Sequence, residues 1–266
     1  MNWSETGMNP VGVFDSGVGG ISVLAQIRRT LPHEDLIYFG DTAHAPYGTK
    51  TESEVLGFSL QVVHELLQRK IKALVIACNT ASAVAAAALR EQLEIPVIAM
   101  EPALKPAAEA RHGGTILVLA TPMTLSLPKF HRLYAQYGEG AVPVPCPGLM
   151  DLVEQENMQG AREYLQRVFS GYAPESLDAV VLGCTHYVFL KPMIRQMLPE
   201  HVCVMDGNEG TARQLERVLE GKNLLNPSGE GSIQLMTSGE KSLVLPQMQR
   251  LLDRMEGVLD GEHGIG

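Results

Sequence analysis

The sequence predicts an α/β protein built from two similar parallel-sheet domains, and three observations lead there. Short apolar, β-branched runs alternate with helix-length amphipathic segments, the pattern of parallel strands joined by crossover helices. Two of those runs, Ala73-Leu74-Val75-Ile76-Ala77-Cys78 and Ala179-Val180-Val181-Leu182-Gly183-Cys184, end on a cysteine. A shift of 106 residues (184 − 78) lays the second half on the first. It carries Asp15 to Thr121, at the end of Ile116-Leu117-Val118-Leu119-Ala120, and Glu94-Ile95-Pro96-Val97-Ile98 to Glu200-His201-Val202-Cys203-Val204. Three strand ends coincide without a gap, which reads as one α/β unit present twice. Units related by a pseudo-twofold axis would point both cysteines into one site in the cleft between them.

The elements follow in order. Val11–Asp15 is a short buried strand, and Ser16-Gly17-Val18-Gly19-Gly20 turns into a helix over Ile21–Leu31. Leu36–Phe39 is a second strand, followed by a loop from Gly40 to Lys50. Thr51-Glu52-Ser53-Glu54 is a capping box. The helix after it carries Val55, Ser59, Val62 and Leu66 on one stripe, with Leu56, Val63 and Leu67 beside it. The first cysteine strand, an Ala-rich helix (Ala81–Gln92) and a strand at Ile95–Ala99 complete the first copy. After Asp206 come a helix (Glu209–Leu219), a Gly/Asn/Pro-rich loop, a strand near Ile233–Met236 and a helix over Leu245–Met255. This tail exceeds what the second copy needs and is expected to pack on the first. The expected domains are therefore residues 1–103 plus 207–266, and residues 104–206.

Composition narrows the function. The 266 residues are 45% hydrophobic and 19% charged, with a formal net charge of −9. That is an ordinary globular balance, and the negative sign argues against an extended nucleic-acid surface. Met1–Pro10 has neither the basic nor the apolar part of a secretory signal, and no apolar stretch is long enough to span a bilayer. The four cysteines (Cys78, Cys146, Cys184, Cys203) contain no CxxC pair. A cytoplasmic protein with reduced thiols is the expectation.

Ligands bind at the carboxyl ends of parallel strands, and both repeat-matched cysteines sit there. Each also precedes a predicted helix, whose N-terminus favours a thiolate. Alone, either cysteine would read as a small core residue. Their matched positions point instead to a pair of proton-transfer groups. One thiolate would take a proton from a carbon and the opposed thiol would return one, inverting that centre. Cys146 and Cys203 have no matched cysteine and read as core or loop residues. Asp15 and Ser16 fit either a turn that satisfies backbone donors or a catalytic role. His186, two residues after Cys184, fits proton positioning. Gly17-Val18-Gly19-Gly20 lacks the spacing of a dinucleotide or phosphate loop. No HExxH or paired Cys/His spacing suggests a metal, and no strand-end lysine suggests a pyridoxal Schiff base. No cofactor is expected.

Four segments together resemble the signatures of the bacterial glutamate racemase family. They are Val13-Phe14-Asp15-Ser16-Gly17-Val18-Gly19-Gly20; Gly40-Asp41-Thr42-Ala43 through Pro46-Tyr47-Gly48; Ala77-Cys78-Asn79-Thr80-Ala81-Ser82; and Gly183-Cys184-Thr185-His186-Tyr187. The resemblance runs from Val11 to about Leu219. It implies a cofactor-independent isomerase that interconverts L- and D-glutamate and supplies D-glutamate for peptidoglycan, and so for cell-wall biogenesis and cell shape. By similarity, Cys78 would deprotonate D-glutamate and Cys184 L-glutamate, with Asp15 and His186 assisting. Ser16, Tyr47, Gly48, Asn79, Thr80, Thr121, Thr124 and Thr185, with Asp15 and His186, would hold the substrate. Two positions depart from the family pattern: Val188 where proline is usual, and Asp206-Gly207-Asn208 where Asp-Ser-Gly is frequent. The N-terminal extension resembles members activated by a cell-wall precursor, and the resemblance fits a monomer or a homodimer. The related aspartate racemases commonly carry Glu after the second Cys-Thr, and His186 favours glutamate.

Overall fold

The computed structural model describes residues 7–261. The first six residues of the N-terminal extension lie outside the described residues. The chain divides into two compact units, one running through Met100 and resuming at Asn208, the other spanning Glu101–Gly207.

In the first unit, strands β1 (Val11–Asp15), β2 (Leu36–Gly40), β3 (Ala73–Ile76) and β4 (Val97–Ala99) alternate with helices α1 (Ile21–Thr30), α2 (Glu52–Leu67) and α3 (Asn79–Gln92). β1, β2 and β3 are buried along their whole length, which explains why they read as continuous apolar runs rather than alternating ones. The chain returns as α10 (Asn208–Gly221), β9 (Ile233–Thr237) and α11 (Lys241–Gly261). β9 joins β2 in parallel, Leu36 opposite Ile233 and Gly40 opposite Thr237. Among the described residues the sheet order is β4-β3-β1-β2-β9. Both α10 and α11 pack on α1. In α1, Ile21, Leu24 and Ile27 are fully buried, each contributing about 1.5–3 kcal/mol through lost contact with water.

The second unit holds α4 (Leu104–Glu109), β5 (Thr115–Ala120), α5 (Pro122–Ser126), α6 (Pro128–Tyr137), β6 (Ala141–Pro145), α7 (Leu149–Glu154), α8 (Met158–Phe169), β7 (Leu177–Leu182), α9 (Lys191–Met197) and β8 (Cys203–Asp206). Its strand order is β6-β5-β7-β8, all parallel. With β5 for β1, β6 for β2, β7 for β3 and β8 for β4, this is the order of the first sheet without β9. The expectation of two parallel-sheet α/β units holds.

Several boundaries move for identifiable reasons. α3 begins at Asn79 rather than Ala81, because Cys78 is itself the cap: its sulfur accepts the Ala81 N–H at 3.4 Å. The capping box forms, with Thr51 and Glu54 exchanging hydrogen bonds. α2 buries Val55, Ser59, Val62, Val63 and Leu66, leaving Leu56 and Leu67 of the predicted stripe partly exposed. After Cys184 there is no α-helix but a 3₁₀ turn, Thr185–Leu190, followed by α9. The last helix starts four residues before Leu245, and Pro246 lies inside it. Residues 241–243 are exposed, so water can serve the carbonyl that Pro246 leaves unbonded.

Candidate active site

In the first unit the ends of β1, β2 and β3 place Asp15, Asp41 and Cys78 side by side. Asp15 is fully buried. Its carboxylate accepts the backbone N–H of Ser16 at 2.7 Å and of Gly20 at 2.5 Å, closing the turn into α1. A Cβ at Gly20 would stand 2.7 Å from the Asp15 Cβ, so the turn needs glycine there. The Cys78 sulfur lies 3.5 Å from Ser16 Oγ. Ser16 therefore stands between Asp15 and the thiol, its hydroxyl 3.3 Å from Asp15 Oδ1.

Asn79 and Thr80 open the 14-residue helix α3 and are buried. Neither the amide nitrogen nor the amide oxygen of the Asn79 side chain has a hydrogen-bond partner among the described residues. Burying an amide without partners costs about 1–3 kcal/mol, so a hydrogen-bonding partner from outside the described residues would be favoured at this side chain.

Tyr47 is 1% exposed and its hydroxyl donates to Asp41 Oδ2 at 2.6 Å. Burial, then the hydrogen bond and charge of Asp41, push the phenol far above its ordinary range, so it remains a donor. Gly48 follows in the 3₁₀ turn Tyr47–Thr49. The Asp41 carboxylate thereby orients Tyr47.

In the second unit Cys184 lies at the end of β7, with Thr185 and His186 buried beside it. The Cys184 sulfur is 3.7 Å from His186 Nδ1, and His186 Nε2 is 2.9 Å from Glu154 Oε1 at the end of α7. Burial opposes a charged imidazole here, but the hydrogen bonds and negative charges of Cys184 and Glu154 outweigh it. His186 is held well above its ordinary value. An imidazolium in this position donates to the sulfur on one side and to the carboxylate on the other. Glu154 has no counterpart in the sequence reading, since 32 residues separate it from His186. The available signal was the repeat: the loop after β2 carries Asp41, so the loop and helix after β6 were the place to look.

Three side chains around Cys146 and Cys184 are pushed toward their protonated forms. Burial, reinforced by the charge of Cys184, pushes the Cys146 thiol up to about 12. Burial and the charge of Cys146 do the same to the Tyr164 phenol, also about 12. Tyr187 is raised by burial and by Cys184 and donates to the Cys146 carbonyl at 3.0 Å. Cys146 is thus a core thiol, whereas Cys203 is exposed on β8. Thr121, the repeat counterpart of Asp15, caps α5 by accepting the Thr124 N–H at 3.2 Å, and the two threonine hydroxyls are 2.9 Å apart.

The two thiols are supported differently. Cys78 caps a long helix and touches a serine, while Cys184 meets an imidazole–carboxylate pair without an α-helix behind it. Among the described residues no cluster of three or more His, Cys, Asp or Glu side chains could hold a metal ion, and no helix is long and apolar enough to cross a membrane.

A thiol at the third strand of each of two like α/β units, each with its own polar neighbours, fits an isomerase. The comparisons with known proteins agree. The family model described as Asp/Glu/Hydantoin racemase matches residues 11–215, and the chain belongs to this family. It is 47% identical over 251 residues to a glutamate racemase of Clostridium acetobutylicum, covering 92% of this chain and 98% of that protein. Glutamate racemase from Thermus thermophilus in complex with beta-chloro-D-alanine superposes with a TM-score of 0.78 at 38% identity, covering 92% of this chain and 93% of that one. The Escherichia coli glutamate racemase, in complex with L-glutamate and the activator UDP-MurNAc-ala, does so with a TM-score of 0.79 at 32% identity, covering 91% and 95%.

Proposed function

We propose that this protein interconverts L- and D-glutamate without a cofactor, by two-base proton transfer between Cα and the thiols of Cys78 and Cys184. The observation that carries the reading is the pair of strand-end cysteines at equivalent positions of the repeated unit, each with proton-handling neighbours. In one direction the Cys184 thiolate takes the Cα proton of L-glutamate, the electron pair passes to a carbanion conjugated with the α-carboxylate, and the Cys78 thiol returns a proton to the opposite face. The reverse direction exchanges the two roles. No electron is gained or lost overall, and each thiol ends as the other began.

Inversion requires the two sulfurs to address opposite faces of one carbon. One glutamate is therefore held by residues of both domains, taken as 1–103 plus 207–266 and 104–206. Asp15, Ser16, Tyr47, Gly48, Asn79 and Thr80 serve from the first domain, and Thr121, Thr124, Thr185 and His186 from the second. The unpartnered Asn79 amide at the start of α3 suits a carboxylate, which helix N-termini also favour. His186 and Glu154 support Cys184, and Ser16 and the α3 amides support Cys78. D-Glutamate so formed supplies peptidoglycan synthesis in the cytoplasm, and a cell-wall precursor like the activator bound by the E. coli enzyme is the regulatory partner.

Purified protein stripped of metal and pyridoxal phosphate is expected to abolish the optical rotation of either glutamate enantiomer. Cys78→Ala and Cys184→Ala should each lower turnover by roughly 10²–10⁴-fold, the usual worth of a positioned proton-transfer group. Faster racemisation of aspartate than of glutamate would overturn the substrate assignment. Normal turnover by Cys78→Ala would remove that residue as a base.

A further inference from the structure

The turn after β9 has no part in the chemistry above, yet it grips the loop that carries Tyr47. Thr237 Oγ1 lies 2.7 Å from Thr42 Oγ1. Ser238 donates its hydroxyl to Asp41 Oδ1 at 2.6 Å and accepts the Ala43 N–H at 3.1 Å. The Ser238 N–H reaches the Gly40 carbonyl at 3.3 Å. Gly239 N–H returns to Thr237 Oγ1 at 3.0 Å, and a Cβ on Gly239 would fall 2.3 Å from Thr42 Oγ1, so only glycine lets the turn come this close.

Asp41 is the junction. It is 1% exposed. Oδ1 takes the Ser238 hydroxyl and Oδ2 takes the Tyr47 hydroxyl, while His44 Nδ1 stands 2.9 and 3.0 Å from the two oxygens. Removing the Ser238 donor leaves His44 as the side-chain partner of Oδ1, so the carboxylate that accepts from Tyr47 is held less firmly. We propose that Thr237 and Ser238 are positioning residues for substrate binding: Ser238 fixes Asp41, Thr237 fixes the adjoining Thr42, and together they hold Tyr47 and the Tyr47–Gly48 backbone. The proposal rests on reading Tyr47 and Gly48 as substrate contacts. It gives the returning C-terminal segment a role in the site as well as in the sheet.

Neither residue touches a reacting atom, so the effect belongs in KM rather than kcat. Thr237 is buried whereas Ser238 is exposed, so water partly replaces the serine hydroxyl and cannot replace the threonine one. Thr237→Val/Ser238→Ala is expected to raise KM for both enantiomers by about 10-fold, the loss of hydrogen bonding to a charged acceptor, with kcat within about twofold. Ser238→Thr, which keeps the hydroxyl, should restore wild-type KM in a Thr237 background. Amide hydrogen exchange gives a second readout that needs no activity. The N–H groups of His44, Thr49 and Lys50 bond the carbonyls of Asp41, Pro46 and Tyr47 and should exchange faster in the double variant. Should the double variant fail to fold, Ser238→Ala alone carries both measurements with a smaller expected rise of about 3-fold. Unchanged exchange at these three amides overturns the proposal whatever the activity. Faster exchange with unchanged KM, or equal losses in kcat and KM, overturns the positioning role. A wild-type protein that racemises nothing refutes the enzymatic reading instead, and the exchange measurement still decides whether the turn holds the loop.

Discussion

Replacing Glu154 by glutamine isolates the charge that supports His186. The side chain keeps its shape, and a carbonyl oxygen can still accept from Nε2 at the present 2.9 Å. What disappears is the negative charge facing a buried imidazole. A hydrogen bond to a charged group is worth about 1.5–3 kcal/mol. Glu154 is 26% exposed at its side chain, so solvent screens part of this and the lower end applies. About 1.5 kcal/mol corresponds to roughly tenfold. With the carboxylate gone, His186 binds its proton less tightly and offers less support to a negative Cys184 sulfur. Glu154→Gln should therefore slow alkylation of Cys184 by iodoacetamide about tenfold at neutral pH. Cys78, in the same sample, serves as internal control and should react as in the wild type. Peptide mass spectrometry after timed quenching reads both sites. In turnover, kcat/KM should fall by the same factor in both directions, because the equilibrium constant between enantiomers is one and no enzyme can change it. Alkylation of Cys184 at the wild-type rate would refute the reasoning, as would an equal slowing at Cys78.

Three further outcomes follow from the geometry. Lys72 and Glu34 form a buried ion pair at 2.6 Å, with side chains 0% and 2% exposed, and Glu34 also accepts the Asn226 N–H at 2.8 Å. Lys72→Met strands that carboxylate and should cost about 3–5 kcal/mol, whereas Lys72→Met with Glu34→Gln should recover much of it; urea midpoints read both. Asn79→Leu removes a buried amide with no partner, so the unliganded protein should be no less thermostable while KM for glutamate rises at least tenfold. His186 has a folded value raised well above 6.5. The stability it contributes is present in full below pH 6.5 and is lost as pH rises through that raised value. The advantage of wild type over His186→Gln in chemical denaturation should accordingly be largest near pH 6 and shrink on the alkaline side.

Much of this was legible before any coordinates. The 106-residue shift that aligned Cys78 with Cys184 also carries Leu36–Gly40 onto residues 142–146, nearly the span of β6. That strand went unread because it is Ala-Val-Pro-Val-Pro. Two prolines argue against a central strand, but β6 is at the edge of its sheet, where a missing N–H costs little. The helix expected after Cys184 failed differently. Thr185–Leu190 is buried throughout, polar Thr185 and His186 included, and continuous burial carries no helical period to distinguish a 3₁₀ turn from an α-helix. Asp41 and Glu154 escaped for a third reason. Their importance lies in what they touch, and neither Ser238 nor His186 is near them in the chain. Residues whose role is carried by their own chemistry, such as the cysteines, could be named early, whereas residues that act through another required the fold.

The central claim is that two thiols share one inversion, and isotope placement at low conversion tests it most directly. L-Glutamate incubated with the protein in D₂O should yield D-glutamate carrying deuterium at Cα, while the remaining L-glutamate keeps its protium. One base takes the proton, and the other delivers from solvent. Deuterium appearing equally in recovered substrate and product at the earliest times would mean that a single group serves both faces. Product that retains the original protium would likewise contradict opposed proton transfer by Cys78 and Cys184.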